Sequence, residues 1–134
     1  MDVTVINNAL RQQILASQTV RSTLKTRLYP SELAQLKTKV YPLANFKILE
    51  GYPINRAEGT ISAPLQIWTW SKTSYDEASE IIAAIQSTLA YQRFQTTEVR
   101  IVISDIQITP QQLYDDEGEL YGYVMRLQML AIER

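Results

Sequence analysis

The chain has 134 residues, of which 46% are apolar and 20% charged, and its formal net charge is −1. This composition is typical of one globular domain, and a chain of this length buries a sizeable core without disulfides or metals. It contains no cysteine and no histidine, which excludes cysteine nucleophiles, thiolate or imidazole metal sites and Ser-His-Asp triads. We therefore expect no cofactor and no catalytic site built on those groups.

The N-terminus does not have the pattern of a signal peptide, because Asp2 and Arg11 precede any apolar run. The longest apolar stretches span about five residues, far below the ~20 that a membrane span requires. We therefore expect a soluble protein with no membrane partner.

Charge is divided unevenly along the chain. Residues 1–47 contain seven basic and two acidic residues, whereas 48–134 contain six basic and twelve acidic ones. The basic residues form no cluster and alternate with no aromatic residues, which favours a solvated helix face over a nucleic-acid site. A surface of two signs also suits head-to-tail stacking of unlike partners.

The N-terminal region is predicted to be helical. Apolar residues recur there at helical spacing: Val3, Ile6, Leu10 and Ile14. This stripe weakens after Ser17, where the helix either ends or continues, exposed, toward residue 28. After Pro30, a second short helix is predicted, with Ser31 as its N-cap and its end before Pro42.

Alternating apolar residues predict strands at 45–50, 64–71 and 99–108, and a fourth strand is predicted at 120–132, where apolar side chains occupy both faces. A long loop, 51–63, separates the first two of these strands. Long loops in compact domains are usually functional or mobile.

A third helix and a hairpin turn complete the pattern. Ser74 and Glu77 have the spacing of a capping box and begin an amphipathic helix that extends to about Gln92. The acidic segment from Asp115 to Gly118 predicts the turn of a β-hairpin. We therefore expect one α+β domain with a four-stranded, mainly antiparallel sheet and helices packed on one face. It comprises a helical region, 1–40, and a sheet–helix core, 45–133.

Candidate chemistry is sparse. The acidic residues around the turn offer oxygen ligands for a hard cation but lack the spacing of a calcium loop, which favours a solvated turn. No glycine-rich phosphate loop is present. Glu50 and Asp105 have the chemistry of an acid/base pair, yet nothing in the sequence brings them together. We predict no catalytic residue and no metal ligand.

Trp68 and Trp70 lie two residues apart and therefore on the same face of their strand. The favoured interpretation is that both pack under the 74–92 helix. The alternative is an exposed aromatic patch, because tryptophan is enriched at interface hot spots.

The order of elements resembles that of a phage protein family. PLQIWTWSKTSYDEASEIIAAIQSTL (64–89) reads as a strand followed by an acid-started helix, and it continues through VRIVISDIQI to DDEGELYGYVMRLQMLAIE. Over about residues 45–133, the chain resembles the tail-to-head joining and tail terminator (tail completion) proteins of long-tailed bacteriophages, above all those of siphophages.

The resemblance implies a structural virion protein that forms a six-fold ring at the end of the tail tube. Its implied partners are further copies of itself, the capsid connector or stopper protein, and the tail tube protein. DNA would meet it only by passing through the ring. The protein would be made in the host bacterial cytoplasm and located at the head–tail junction.

Two polar segments are the candidate contact sites of such a ring subunit. We hypothesise that the 51–63 loop and the 115–119 hairpin project from the sheet and carry axial or intersubunit contacts. A loop that orders only on assembly would keep the subunit monomeric until then. The candidate residues are Tyr52, Pro53, Asn55, Arg56, Glu58, Asp115, Asp116 and Glu117.

Two other functions stand beside this one. The first is a small α+β ligand-binding or regulatory module with an apolar pocket between helix and sheet, for which a ligand-induced thermal shift is the test. The second, weaker one is nucleic-acid binding by the basic N-terminal region, for which salt-dependent DNA binding is the test.

Overall fold

The computed structural model describes residues 3–49, 52–53 and 59–134. These ranges contain three α-helices and a short 3₁₀ turn, which are α1 (Val3–Leu15), α2 (Gln18–Leu24), α3 (Tyr75–Leu89) and the turn at Leu33–Gln35. They also contain seven strands: β1 (Leu28–Tyr29), β2 (Leu43–Ile48), β3 (Tyr52–Pro53), β4 (Thr60–Ser71), β5 (Arg93–Gln95), β6 (Val99–Asp115) and β7 (Leu120–Glu133). The predicted α+β class is confirmed.

The strands form one mixed sheet in the order β1-β2-β4-β7-β6-β5, and β3 pairs with β4 alongside β2. The four long strands are those predicted from the sequence, and they pair antiparallel. The prediction of a four-stranded sheet is nevertheless wrong, because three strands of two or three residues extend it and β1 runs parallel to β2. Strands this short carry too little alternation to be detected in a sequence.

All three α-helices pack on the same face of the sheet, as predicted. The inward positions of β4 meet α3, and Thr69 Oγ1 donates a hydrogen bond to the Ala78 carbonyl oxygen at 2.9 Å. No helix in the described ranges is long and apolar enough to cross a membrane. Side chains with no solvent exposure fill the layer between helices and sheet, among them Ile6, Leu10, Ile14, Val20, Leu24, Phe46, Leu65, Ile67, Ile85, Leu89, Met125 and Leu127.

The helical N-terminal region breaks where its apolar stripe weakens. α1 ends at Leu15, and Ser17 caps α2 by accepting a hydrogen bond from the Val20 amide at 3.4 Å. The helix predicted after Pro30 is wrong, because only a single 3₁₀ turn forms there and Glu32 is its N-cap. The three-residue spacing of Leu33 and Leu36 fits a 3₁₀ turn as well as an α-helix, and both side chains pack against the sheet.

The start of α3 differs in detail from the predicted capping box. Ser74 Oγ accepts from the Glu77 amide at 3.2 Å, as predicted. The Glu77 carboxylate does not bond back to Ser74, and instead accepts from Ser71 Oγ at 2.7 Å. That same hydroxyl accepts from the amides of Thr73 and Ser74. The last residue of β4 therefore completes the cap.

Replacing Ser74 by alanine is expected to lower the free energy of unfolding by about 1 kcal/mol, because the Glu77 amide loses its acceptor. Ser79→Ala, within the same helix, is the matched control and is expected to be neutral or slightly stabilising. Urea denaturation followed by circular dichroism measures both variants. Equal stability of Ser74→Ala and wild type would contradict the cap.

The β6–β7 hairpin is longer than predicted. β6 continues past residue 108 to Asp115, and the turn occupies residues 116–119. The left-handed conformation falls on Glu119, at φ 52°, and not on Gly118. β4 also begins at Thr60, four residues before the prediction, so that part of the predicted 51–63 loop is strand.

Candidate assembly surface

The face of the sheet opposite the α-helices carries a surface groove lined in part by Trp68 and Trp70. Trp68 and Trp70 lie on this helix-free face, so the prediction that they pack under the 74–92 helix is wrong. The reason is the pleat, because Leu65, Ile67 and Thr69 already occupy the helix-facing positions of β4.

Trp70 anchors a second, smaller cluster on the helix-free face. The residue is 8% exposed, and its Nε1 donates to Asn45 Oδ1 at 3.0 Å. Asn45 is also buried, and its Nδ2 donates to the Ser31 carbonyl oxygen at 2.9 Å. The first bond joins β4 to β2, and the second attaches the 30–42 segment to the sheet. The cluster comprises Leu43, Trp70 and Leu120, with Tyr29, Leu33, Leu36, Tyr41, Trp68 and Leu113 packed around them.

Beside this cluster lies an open groove of about 430 Å³. Trp68 supplies its aromatic wall, and Lys47 and Arg126 supply positive charge. Lys47 forms an ion pair with Glu32, and both side chains are nearly half exposed, so the pair adds little stability. The groove is lined by Glu32, Leu33, Asn45, Lys47, Leu49, Gln66, Trp68, Trp70 and Arg126.

Amide and guanidinium side chains bridge the strands next to the groove. Arg126 donates from Nη2 and Nε to Gln66 Oε1 at 2.6 and 3.1 Å. Gln128 Nε2 donates to Ser62 Oγ at 2.8 Å, and Gln128 Oε1 accepts from Gln107 at 2.6 Å. This polar network spans β4, β7 and β6. Groups of this kind suit a contact surface, because they offer hydrogen bonds at a lower desolvation cost than free charges.

The outer edge of β6 is a second candidate contact. β5 pairs only with residues 100–102, and in the described part of the chain no strand covers β6 from Ser104 to Asp115. Three register irregularities and Pro110 interrupt this half of the strand. Bulges and proline on an exposed edge prevent indiscriminate strand pairing. An edge protected in this way is available for a specific partner.

The hairpin end carries a tyrosine cluster beside the acidic turn. Tyr75 contacts Tyr121 and Tyr123 edge to face, with ring centroids 4.9 and 6.2 Å apart. Tyr114 lies 5.4 Å from Tyr121 and is 45% exposed. Tyrosine is enriched at protein interfaces relative to the rest of the protein surface.

Two phenols near this end are harder to ionise than usual. Desolvation raises the pKa of Tyr114, and Tyr121, Glu119 and Asp116 raise it further. Burial raises the pKa of Tyr41, and the Asp115 carboxylate adds to it.

The predicted contact residues are only partly described by the structure. Tyr52 and Pro53 form β3, which pairs with Ser62 and Ile61 of β4. The predicted contacts Asn55, Arg56 and Glu58 lie outside the described residues. Asp115 closes β6, where its Oδ1 accepts from the Glu117 amide at 3.2 Å.

The acidic turn does not gather into a metal-binding group. Asp116 and Glu117 are exposed within it. Among the residues that the structure describes, no three acidic side chains are placed so that they could hold a metal ion.

The groove residues were missed in the sequence, apart from Trp68 and Trp70. Lys47, Gln66 and Arg126 come from three strands that are distant in the chain. A polar residue alternating with buried ones in each strand was the available signal. It identifies a solvent-facing side of the sheet but not which strands are neighbours.

Comparison with known proteins gives a likeness of fold. No family model and no curated protein matches the sequence. A chain from the virion of a native gene transfer agent particle superposes with a TM-score of 0.65, at 9% identity, over 98% of this chain and 97% of that one. The bacteriophage SPP1 gp17 protein superposes with a TM-score of 0.57, at 15% identity, over 94% of this chain and 88% of that one. The chain therefore shares its fold with a virion protein and a phage protein.

Proposed function

We propose that the protein is a structural component of the virion of a long-tailed bacteriophage. In this proposal it forms a six-fold ring at the head–tail interface and joins the tail tube to the capsid connector. The observation that carries the proposal is the fold shared with a virion chain over 98% of this chain, together with that shared with SPP1 gp17 over 94%. In both comparisons the similarity of fold covers most of the two superposed chains and is not confined to one motif.

The described surfaces support a ring subunit. A ring arises from heterologous contacts, so each subunit must present two different lateral surfaces and two axial ones. The sheet has unlike lateral edges, one formed by β1 and the other by β6 and β5. The helix-free face adds a groove with an aromatic wall and two positively charged side chains. These surfaces favour recognition of protein partners, and we propose no enzymatic activity.

The proposed partners follow from this position in the particle. Copies of the chain form the ring, the capsid connector or stopper protein binds one axial face, and the tail tube protein binds the other. DNA passes through the ring, and no cofactor takes part.

Mixing experiments test the proposal directly. The purified chain is incubated separately with tail tubes and with DNA-filled heads that lack it, and the products are imaged by electron microscopy. We expect a ring of density at the end of one or both structures. Heads and tubes incubated without the protein serve as the control. A folded protein that caps neither structure would overturn the proposal.

The ligand-binding alternative requires a different pocket from the one expected. Its predicted pocket between helix and sheet is not supported, because buried side chains fill that layer. A small ligand would instead enter the groove beside Trp68. If neither heads nor tubes are capped, a thermal shift with small molecules tests this alternative.

A further inference from the structure

We infer that copies of this chain associate head to tail through two oppositely charged corners of the sheet. The acidic corner consists of Asp116, Glu117 and Glu119 in the β6–β7 turn. The basic corner consists of Arg21 and Lys25, at the end of α2. The inference deepens the proposed ring and rests on it, because it names the lateral contact between neighbouring subunits.

The two corners belong to segments of opposite and unmixed charge. Residues 3–31 contain four basic residues and no acidic one. Residues 101–125 contain five acidic residues and no basic one. Charge of one sign over so long a segment produces a field that steers a complementary surface and repels a like one.

The sheet places these segments on opposite sides of the molecule. β1, which follows α2 directly, is one edge of the sheet, and β6 lies four strand positions away in the order β1-β2-β4-β7-β6. At about 4.8 Å per position, the two strands are separated by roughly 19 Å. One subunit can therefore offer the two corners to two different neighbours.

Register also places both corners at the same end of the sheet. One row across the strands contains Leu28, Ala44, Thr69, Tyr123 and Gln112. Beyond this row, β6 leads directly into the acidic turn. β2 runs away from the end of the sheet that carries the acidic turn, and β1 runs parallel to β2. The residues before Leu28 therefore lie toward the end with the acidic turn. A rotation about an axis along the strands therefore brings an acidic corner to a basic corner at equal height.

The basic side chains of residues 3–31 differ in whether they donate hydrogen bonds within the chain. Arg11 donates to the carbonyl oxygens of Leu28 and Thr26. Arg27 likewise donates to two backbone carbonyl oxygens. Arg21 and Lys25 are exposed.

The acidic corner is equally accessible. Asp116, Glu117 and Glu119 are exposed, and half-exposed Tyr114 lies beside them on the free edge of β6. An ion-pair contact of this kind is weak by itself and screened by salt. Closure of a ring adds such contacts together.

Zero-length cross-linking tests the contact. A 1:1 mixture of unlabelled and ¹⁵N-labelled chain is treated with a carbodiimide, which joins carboxylates to lysine amines. We expect mixed-isotope links from Lys25 to Asp116, Glu117 or Glu119, reduced roughly tenfold at high salt because exposed charges are then screened. Inter-chain links that join these acids only to other lysines, or no inter-chain link at all, would overturn the inference.

Charge reversal gives a second, independent test by sedimentation velocity at low salt. Glu117→Lys/Glu119→Lys gives a chain with two basic corners, and Arg21→Glu/Lys25→Glu gives one with two acidic corners. Each variant alone is expected to lose self-association, and their 1:1 mixture is expected to regain it by alternation. Glu80→Lys/Glu98→Lys has the same change in net charge as the first variant and is expected to associate like wild type.

The outcomes separate this contact from the proposed function. The charged-corner contact is overturned if the mixture associates no better than either variant alone. It is also overturned if the wild-type chain stays monomeric. The Arg21→Glu/Lys25→Glu variant could instead keep self-association and lose binding to duplex DNA. That result would assign the basic corner to nucleic-acid binding and would also overturn the charged-corner contact. Capping of heads or tubes without Lys25 cross-links leaves the proposed function standing and rejects the contact alone.

Discussion

Replacing Gly122 by alanine is expected to lower the free energy of unfolding by about 1–3 kcal/mol, the usual cost of overpacking a core. The loss is expected although alanine is intrinsically better than glycine inside a strand by roughly 0.5–1 kcal/mol. A Cβ atom at this position would lie 2.7 and 2.8 Å from Trp70 Cε3 and Cζ3, and 3.0 Å from the Thr69 carbonyl oxygen.

The surroundings of Gly122 have little freedom to move away. Trp70 is nearly buried and tied to Asn45 through its indole nitrogen. β7 is paired on both sides at this row, with Trp70 on β4 and Leu113 on β6. A shift of either the ring or the backbone would therefore break contacts elsewhere in the cluster.

Urea denaturation followed by far-ultraviolet circular dichroism measures the effect. Gly118→Ala in the exposed turn of the same hairpin is the control, and a smaller loss is expected because its Cβ would lie 3.1 Å or more from its neighbours. Gly122→Ala is expected to cost less in a Trp70→Leu background, because the indole is then absent. Unchanged stability of Gly122→Ala would contradict the placement of Trp70 over β7.

The long elements of the fold could be predicted because their periodicity is strong. α3 has a wide apolar stripe and a serine cap, β4 and β6 alternate over many residues, and β7 is a long run with apolar side chains on both faces. Helix and strand periods differ enough that such segments admit one interpretation. Antiparallel pairing of β6 with β7 then follows from the tight turn between them, whereas β4 and β7 pair although α3, β5 and β6 separate them in the chain.

The face occupied by Trp68 and Trp70 could not be predicted. β4 has apolar residues at both alternating sets of positions near its end, so the pattern does not say which set faces the helices. Thr69 occupies a helix-facing position, where its buried hydroxyl donates to the Ala78 carbonyl oxygen. A polar residue with a local partner is compatible with the core, and that partner is invisible in the sequence.

The candidate site was predicted only where it is continuous in the chain. The acidic turn is one segment, and its hairpin could be recognised from Asp and Gly alone. The groove joins Lys47, Gln66 and Arg126 across β2, β4 and β7. Such a site exists only after strand order and register are fixed, and long-range pairing of this kind leaves no local signature.

Replacing Asn45 by leucine is expected to lower the free energy of unfolding by about 2–4 kcal/mol, because two polar groups lose their partner. Trp70 Nε1 and the Ser31 carbonyl oxygen both bond to this one side chain. The bond between the indole nitrogen and Asn45 is buried, and Leu33, Leu36 and Tyr41 of the 30–42 segment pack against the Trp70 cluster. Gln66→Leu removes a partner of the partly buried Arg126 on the same face and is expected to cost under about 1 kcal/mol, since the guanidinium lines the open groove and is rehydrated there.

Two measurements separate the two bonds of Asn45. In a Trp70→Phe background, Asn45→Leu is expected to cost about 1–2 kcal/mol less than in wild type, because no indole nitrogen is left unpaired. The bond to Ser31 is read by limited trypsin digestion, where Asn45→Leu is expected to speed cleavage after Lys37 or Lys39 as the 30–42 segment loosens. Additive costs with unchanged cleavage would mean that Asn45 does not hold this segment to the sheet. The groove wall formed by Leu33 would then be held by apolar packing and by the Lys47–Glu32 ion pair.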